Sequence, residues 1–188
     1  MTNEENSLLL KDLCGRLPYG ITVQQSAQYP KGHFAYDTAD KWQTEPHDFK
    51  IIGVEGTNTL ITDKRKEERT YAKGIVSSPI TICIHNGFTR QEIKPYLRPM
   101  SSMTEEEAME VARIRGLKDI LSVSLKENYI FVELDDGVFG SELCTIWFNE
   151  MVTSIEMLDW LNSHHFDYRG LIPMGLALEA PEGMYNIQ

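Results

Sequence analysis

Apolar residues recur along this chain at two spacings, one typical of helices and the other typical of strands. The leucines within residues 9–17 repeat at helical intervals and predict a first helix that Ser7 caps and that runs to about Cys14. Gly15 and Pro18 follow, and residues of these types commonly end a helix. The first predicted element is therefore one short amphipathic helix.

Strand-like alternation of apolar and polar side chains follows this helix. The predicted strands cover residues 20–26, 49–54, 59–62, 78–85, 121–125, 129–134 and 143–148. The last of these is apolar on both faces, which predicts a central strand. The sequence Asp135-Asp136-Gly137 predicts a turn, because Asp and Gly favour turn conformations.

Two stretches follow neither period. Residues 27–48 contain two prolines and four aromatic side chains, and we predict a structured loop there. Residues 88–102 are interrupted by Pro95 and Pro99, and we predict a short helical turn followed by a linker.

Capping signals predict two further helices. Residues 104–107 read Thr-Glu-Glu-Glu and fit a capping box, and Gly116 ends the helix that they begin. Residues 153–156 have the same Thr-x-x-Glu spacing and predict a helix that ends near His164. The side chains that this last helix is predicted to bury are Ile155, Leu158 and Leu161.

These elements predict an α+β fold with a predominantly antiparallel sheet packed by two or three helices. Turns, not crossover helices, separate most of the predicted strands, which favours antiparallel pairing. We predict a single domain over residues 1–188, because each half alone has few strands. A subdivision near residues 98–102 is the alternative, since prolines and a change of charge coincide there.

Composition places the chain among ordinary globular proteins. Its 188 residues are 41% apolar and 24% charged, which excludes a disordered chain, a coiled coil and a collagen-like repeat. A chain of this length buries about 70% of its unfolded surface, so the fold needs neither a metal nor a disulfide.

Charge is divided unevenly along the acidic chain, whose net charge is −10. Residues 1–98 carry 13 basic and 12 acidic side chains, whereas residues 99–188 carry 5 basic and 16 acidic ones, a net −11. Such a half repels phosphate, so no nucleic acid is expected as a partner. Three interpretations remain: a solvated, solubilising surface, a face for a basic protein partner, and a metal site.

Cysteine usage and the N-terminal residues predict a cytoplasmic protein. Cys14, Cys83 and Cys144 are widely spaced and form no CxxC motif, which favours reduced thiols. The N-terminal sequence MTNEENS is polar and acidic, unlike a signal peptide. No apolar run is long enough for a membrane span, so no membrane association is expected.

The densest group of polar side chains lies at residues 164–169. The ligand-binding candidates there are His164, His165, Asp167, Tyr168 and Arg169. Adjacent residues of a helix point about 100° apart, so both imidazoles cannot bind one ion from a regular helix. The alternatives are a helix end with a surface contact between Asp167 and Arg169, a binding site, and a metal or catalytic site.

The 27–48 stretch supplies two further ligand-binding candidates, His33 and Trp42. Its aromatic side chains either line a pocket or attach the loop to the core. Cys83 and His85 share a strand face but lie about 6.5 Å apart along the chain, too far for a catalytic dyad. The sequence contains no nucleotide-binding, zinc-protease or serine-hydrolase signature, so we assign no catalytic residue, metal or cofactor.

Two segments resemble proteins of one known group. IKPYLRPMSSMTEEE (93–107) and WLNSHHFDYRGLIPMGLALEAPEGMY (160–185) are similar to small uncharacterised proteins encoded in prophages and other mobile elements of gut anaerobes. The resemblance implies an accessory protein of a phage or mobile element. It assigns no activity and no role to any residue.

Two functions are compatible with this sequence. The first is a non-enzymatic accessory or interaction protein that binds a protein partner through its acidic C-terminal half. The second is a small hydrolase or ligand-binding domain with a pocket built from the 31–48 loop and the 164–169 cluster. We favour the first, because no catalytic signature supports the second.

Overall fold

The computed structural model describes residues 2–28, 46–55, 59–65, 69–71, 74–76, 79–83, 90–137 and 140–185. Within these ranges the chain has the predicted α+β fold, with three α-helices and strands paired mostly antiparallel. The helices are α1 (Asn3–Arg16), α2 (Glu105–Ile114) and α3 (Ile155–Ser163).

The strands form one large sheet and two smaller ones. Their bounds are β1 (Thr22–Gln28), β2 (His47–Glu55), β3 (Thr59–Arg65), β4 (Arg69–Tyr71), β5 (Gly74–Val76), β6 (Pro79–Cys83), β7 (Arg90–Leu97), β8 (Ile120–Leu125), β9 (Tyr129–Asp135), β10 (Ser141–Trp147) and β11 (Leu178–Glu179). The six-stranded sheet has the order β11-β7-β1-β2-β3-β6, and the three-stranded sheet has the order β10-β9-β8. Strands β4 and β5 pair as a separate hairpin.

The chain contacts divide the protein into two compact units. Unit 1 comprises residues 1–96 and 173–178, and unit 2 comprises residues 97–172 and 179–188. The first boundary lies beside the proline-containing segment 98–102. That the two units fold as a single domain stays a prediction.

Helix α1 begins earlier than predicted. Thr2, not Ser7, is its N-cap, because the Thr2 hydroxyl accepts from the Glu5 N–H and the Glu5 carboxylate accepts from the Thr2 N–H. This reciprocal pair satisfies two otherwise free donors at the start of the helix. The buried face of α1 includes Leu9 and Leu13, as its leucine spacing predicts.

The segment predicted as a helical turn and linker is instead strand β7. It pairs antiparallel with β1, and Pro95 lies opposite Val23 in the register. Ile93, Pro95 and Leu97 are all buried at alternate positions. Pro95 is compatible with this strand, because its nitrogen points away from β1, as does the Leu97 carbonyl that accepts from the Ala180 N–H. The β1 ladder therefore loses no hydrogen bond to this proline.

Unit 2 packs α2 and α3 with one face of its three-stranded sheet. Its buried cluster comprises Met103, Ala108, Val111, Ala112, Ile130, Val132, Ile146, Met151, Met157, Trp160, Leu161 and Phe166. The predicted capping box of α2 is present: Thr104 accepts from the Glu107 N–H, and Glu107 accepts from the Thr104 N–H. The predicted turn after β9 is also present, since the Asp135 carboxylate accepts from the Gly137 N–H at 2.9 Å.

Helix α3 presents a different face from the predicted one. Its N-cap is Ser154, whose hydroxyl accepts from the Met157 N–H, so the predicted capping box of Thr153 and Glu156 is wrong. Ile155 was predicted to be buried but is 80% exposed, whereas Met157 is buried. The buried side chains Met157, Trp160 and Leu161 are centred about 100° around the helix axis from the predicted set.

Strand β10 lies at an edge of its sheet, so the prediction of a central strand is wrong. Strand β9 occupies the middle, and β10 pairs with β9 alone. Leu143 and Trp147 are 61% and 45% exposed, whereas Ile146, on the opposite face, is buried. Apolar residues on both faces therefore mark an exposed apolar surface here and not a second buried face.

Candidate functional site

The cluster at residues 164–169 begins where α3 ends. Ser163 is the last helical residue and His164 is the C-cap, so the helix does not continue to Asp167. The shared helix face that would bring His164 and Asp167 to one metal ion is consequently absent from this part of the described structure.

A Schellman motif reverses the chain after α3. The His165 N–H donates to the Asn162 carbonyl and the Phe166 N–H donates to the Leu161 carbonyl, both at 3.1 Å. His165 occupies the left-handed position of this motif with φ of +57°. Glycine usually occupies that position, and Gly116 does so after α2 with φ of +83°. A histidine there costs about 1–2 kcal/mol of backbone strain, so its side chain must contribute compensating contacts.

The two imidazole rings have different partners. The His164 ring stacks on Trp160 with centroids 4.0 Å apart, and its Nδ1 lies 2.8 Å from the Trp160 carbonyl oxygen. Because a carbonyl oxygen only accepts, Nδ1 carries the hydrogen. The buried His165 ring stacks on Tyr185 with centroids 3.7 Å apart. Each ring therefore packs against an aromatic side chain, and the two do not share a ligand position.

Asp167 closes the turn that follows the cluster. Its two carboxylate oxygens accept from the N–H groups of Leu171 and Ile172 at 2.7 and 2.8 Å. Asp167 is buried, so the expectation of a surface contact between Asp167 and Arg169 is wrong. The cause is local, since the carboxylate satisfies backbone donors that the turn leaves without helical partners.

Tyr168 and Arg169 lie at the half-buried side of the cluster. The Tyr168 hydroxyl donates to the Asn162 side-chain oxygen at 3.1 Å. The Arg169 guanidinium lies 4.8 Å from the centre of the Tyr168 ring, a cation–π arrangement. Both side chains thus pack on neighbouring residues of the same turn.

Arg98 links the cluster to the segment before α2, a connection that the sequence did not reveal. Its guanidinium donates to both carboxylate oxygens of Glu107, at 2.7 and 2.9 Å, and lies 4.2 Å above the Phe166 ring. Its backbone forms a bridge to Phe166, donating to the His165 carbonyl and accepting from the Asp167 N–H. The sequence predicted Glu107 only as part of the capping box of α2, which did not indicate Arg98 as its partner.

The Arg98 pair shifts the titration of Glu107. Burial raises the pKa of this carboxyl, but the Arg98 and Thr104 hydrogen bonds and the charges of Arg98 and His164 lower it by more. The net result is a pKa below the ordinary value of 4.5. Glu107 is therefore an ionised partner of Arg98 at neutral pH and not a proton donor poised for catalysis.

The remaining candidates from the sequence are a metal site and the histidine and aromatic side chains outside the 164–169 cluster. Among the residues that the structure describes, no group of three or more His, Cys, Asp or Glu side chains is placed to hold a metal ion. His33, Trp42 and His85 lie outside the described residues, as does most of the predicted 31–48 loop.

The outer face of the three-stranded sheet is a second candidate site. Leu121, Leu143 and Trp147 are exposed large apolar side chains on its two outer strands. The Trp147 ring lies 4.8 Å from the Tyr129 ring of β9. The sequence pattern predicted β10 as a central strand, and these apolar side chains were therefore expected to be buried.

Glu133 lies on the same outer face, in the middle of the sheet. The Ser122 hydroxyl of β8 donates to its carboxylate at 3.0 Å. Hydrogen bonds from Ser141 of β10 and from Ser122 lower the pKa of Glu133. The outer face therefore combines exposed apolar side chains with a carboxylate that is ionised at neutral pH.

Comparison with known proteins gives no assignment: no family model, curated protein or solved structure matches this chain. No helix in the described part of the chain is long and apolar enough to cross a membrane.

Proposed function

We propose that this chain is a non-enzymatic protein-interaction protein that binds its partner through the outer face of the β8–β10 sheet. The observation that carries the proposal is the exposure of Leu143 and Trp147 on one strand of this face. Scattered exposed apolar residues are ordinary, but several on one sheet face form a surface that protein partners commonly cover.

The charge of this surface supports a protein partner with basic side chains. Residues 99–188 carry a net charge of −11, and Glu133 and Asp135 lie on the outer face of β9. Complementary charge increases association rates and suppresses wrong partners. Nucleic acid does not fit such a surface, because its phosphates would be repelled.

The residues of the 164–169 cluster have a structural role and not a binding role in this proposal. Both imidazole rings stack on aromatic side chains of unit 2, the Asp167 carboxylate accepts from backbone N–H groups of its own turn, and Arg98 pairs with Glu107. We assign these residues to holding the turn after α3, which leaves the sheet face as the binding surface.

The resemblance of residues 93–107 and 160–185 to prophage and mobile-element proteins supports a partner in that setting, a protein of the host or of the element. We therefore propose a cytoplasmic accessory protein of a phage or mobile element.

The experiment compares two variants at exposed aliphatic strand positions, Leu143→Asp in unit 2 and Ile52→Asp in unit 1. Ile52 is 58% exposed, which matches Leu143. Tagged chains are purified from their own host cells, and copurifying proteins are quantified by mass spectrometry. We expect a stoichiometric partner with the unmodified chain and with Ile52→Asp, and a loss of about tenfold or more with Leu143→Asp. A partner retained equally by both variants, or no stoichiometric partner at all, would contradict the proposal.

A further inference from the structure

Within the part of the chain that the structure describes, strand β10 pairs only with β9, so one row of its backbone groups has no neighbouring strand there. The Phe148 N–H donates to the Asn128 carbonyl and the Asp136 N–H donates to the Gly140 carbonyl, which continues the β9–β10 register at both ends. In antiparallel pairs, every second residue bonds to the partner strand, and the residues between point the other way. The residues of β10 whose N–H and C=O groups point away from β9 are thus Ser141, Leu143, Thr145 and Trp147.

This edge lacks most of the features that protect edge strands. The opposite edge of the sheet, β8, is interrupted by a bulge between Ile120 and Ser122. Strand β10 pairs in one unbroken register over seven residues, and it contains no proline, lysine or arginine. Bulges, prolines and charged side chains are devices by which proteins prevent unwanted strand pairing. Since Glu142 is the one charged side chain of β10, this strand is an open edge among the described residues and its single charge is acidic.

The side chains beside this edge fit a partner strand that carries apolar groups. Leu143, Thr145 and Trp147 are exposed on the outer face, in register with Glu133, Phe131 and Tyr129 of β9. An added strand would extend this face and cover part of Leu143 and Trp147. Main-chain hydrogen bonds supply affinity in such complexes, and alternate side chains supply specificity.

Charge selects among the occupants of the edge. The residues from Lys126 to Trp147 include one basic side chain and five acidic ones: Glu127, Glu133, Asp135, Asp136 and Glu142. A second copy of β10 would bring the same acidic groups to the edge and be repelled. A segment that contains lysine or arginine would be attracted instead.

We propose that β10 binds an extended, lysine- or arginine-containing segment of another protein, which adds to the sheet as a further strand beside β10. This inference rests on the proposed function and deepens it, because it names the edge, the binding mode and the chemistry of the partner segment. The apolar side chains of the segment pack beside Leu143 and Trp147 on the outer face, and its cationic side chains lie on the opposite face near Glu142.

The test uses peptides about as long as β10 and two variants of Thr145. One peptide alternates lysine and valine, a second alternates glutamate and valine, and a third is the lysine peptide with N-methyl groups on the backbone nitrogens of both its edges. Thr145→Pro removes an N–H that points away from β9, so the pairing with β9 is kept. Thr145→Val keeps that N–H and serves as the matched control. Binding is measured by titration and by amide hydrogen exchange at Leu143 and Trp147.

We expect the lysine peptide to bind the unmodified chain and Thr145→Val about equally, and to slow exchange at both amides. Thr145→Pro, the N-methyl peptide and the glutamate peptide should each weaken binding by about tenfold or more. The N-methyl peptide leaves the protein unchanged, so it tests the edge even where the proline variant fails to fold.

Four outcomes would overturn strand addition: no binding of the lysine peptide, equal binding of the N-methyl peptide, equal binding of the glutamate peptide, or self-association that Thr145→Pro abolishes. Failure here is distinguishable from failure of the proposed function. If a cellular partner binds Thr145→Pro but no longer binds Leu143→Asp, only the strand-addition mode is contradicted. The absence of any partner removes the interaction function itself.

Discussion

Arg98 shows how one side chain can determine the arrangement of a whole turn. Its guanidinium pairs with Glu107, donates to the Ser102 carbonyl and covers the Phe166 ring. Truncating such a side chain removes packing as well as charge, since its planar face contributes the contact with the ring. The sequence could not reveal this arrangement, because Arg98 and Phe166 are far apart along the chain.

Glu107→Gln tests the Arg98 pair through its dependence on pH. The folded-state pKa of Glu107 is lowered, so the ionised carboxylate stabilises the fold above about pH 4.5. That stabilisation is lost as the pH falls through the folded-state pKa. We expect the variant to lower the free energy of unfolding by about 1–2 kcal/mol at pH 7, and to flatten the acid dependence of that free energy. Urea unfolding over a series of pH values measures both effects.

Glu106→Gln is the matched control for this prediction. Glu106 is an exposed neighbour in the same first turn of α2, and Glu107 is the residue that carries the Arg98 pair. We expect Glu106→Gln to leave the acid dependence of stability unchanged. An identical loss of acid dependence in the two variants would show that the pair does not cause it.

At the scale of elements, local capping signals gave one helix start of three correctly. The capping box of α2 lies within four residues, so the sequence alone placed that helix correctly. Strand β7 was missed because its pairing with β1 joins residues far apart in sequence. The edge position of β10 depends on which strand becomes its neighbour, and alternation along one strand cannot specify that.

Two substitutions at the start of α3 distinguish the N-cap in the structure from the N-cap that the sequence pattern predicted. Ser154 caps α3 through its hydroxyl, whereas the pattern assigned the cap to Thr153. We expect Ser154→Ala to lower the free energy of unfolding by about 1 kcal/mol. Thr153→Ala should change it by less than about 0.5 kcal/mol, as for an ordinary surface position. Thermal unfolding of the two variants measures the difference, and a larger loss for Thr153→Ala would move the cap by one residue.

At the scale of the molecule, the chain passes between its two units three times. The crossings follow residues 96, 172 and 178, so the segment 173–178 of unit 1 is flanked on both sides by unit 2. Each unit has buried residues of its own. The single domain that the sequence predicted therefore stays a prediction.

Asp12→Asn measures the cooperativity of the two units. Asp12 and Arg16 form a completely buried ion pair in α1 of unit 1, with Nε 2.8 Å from the carboxylate. Removing one charge of a buried pair costs about 3–5 kcal/mol. The variant therefore weakens unit 1 without altering a residue of unit 2. Glu4→Gln, at an exposed acid of the same helix, is the control.

Native-state hydrogen exchange of buried amides in both units decides how far this destabilisation spreads. For a single domain, Asp12→Asn lowers the opening free energy of Val111 and Val132 in unit 2 by the same amount as that of Leu13 in unit 1, because only global unfolding exposes these amides. Loss of protection at Leu13 with Val111 and Val132 unchanged would show two independently folding domains. The distinction bears on binding as well, since in a single domain the stability of the β10 edge depends on the ion pair in α1.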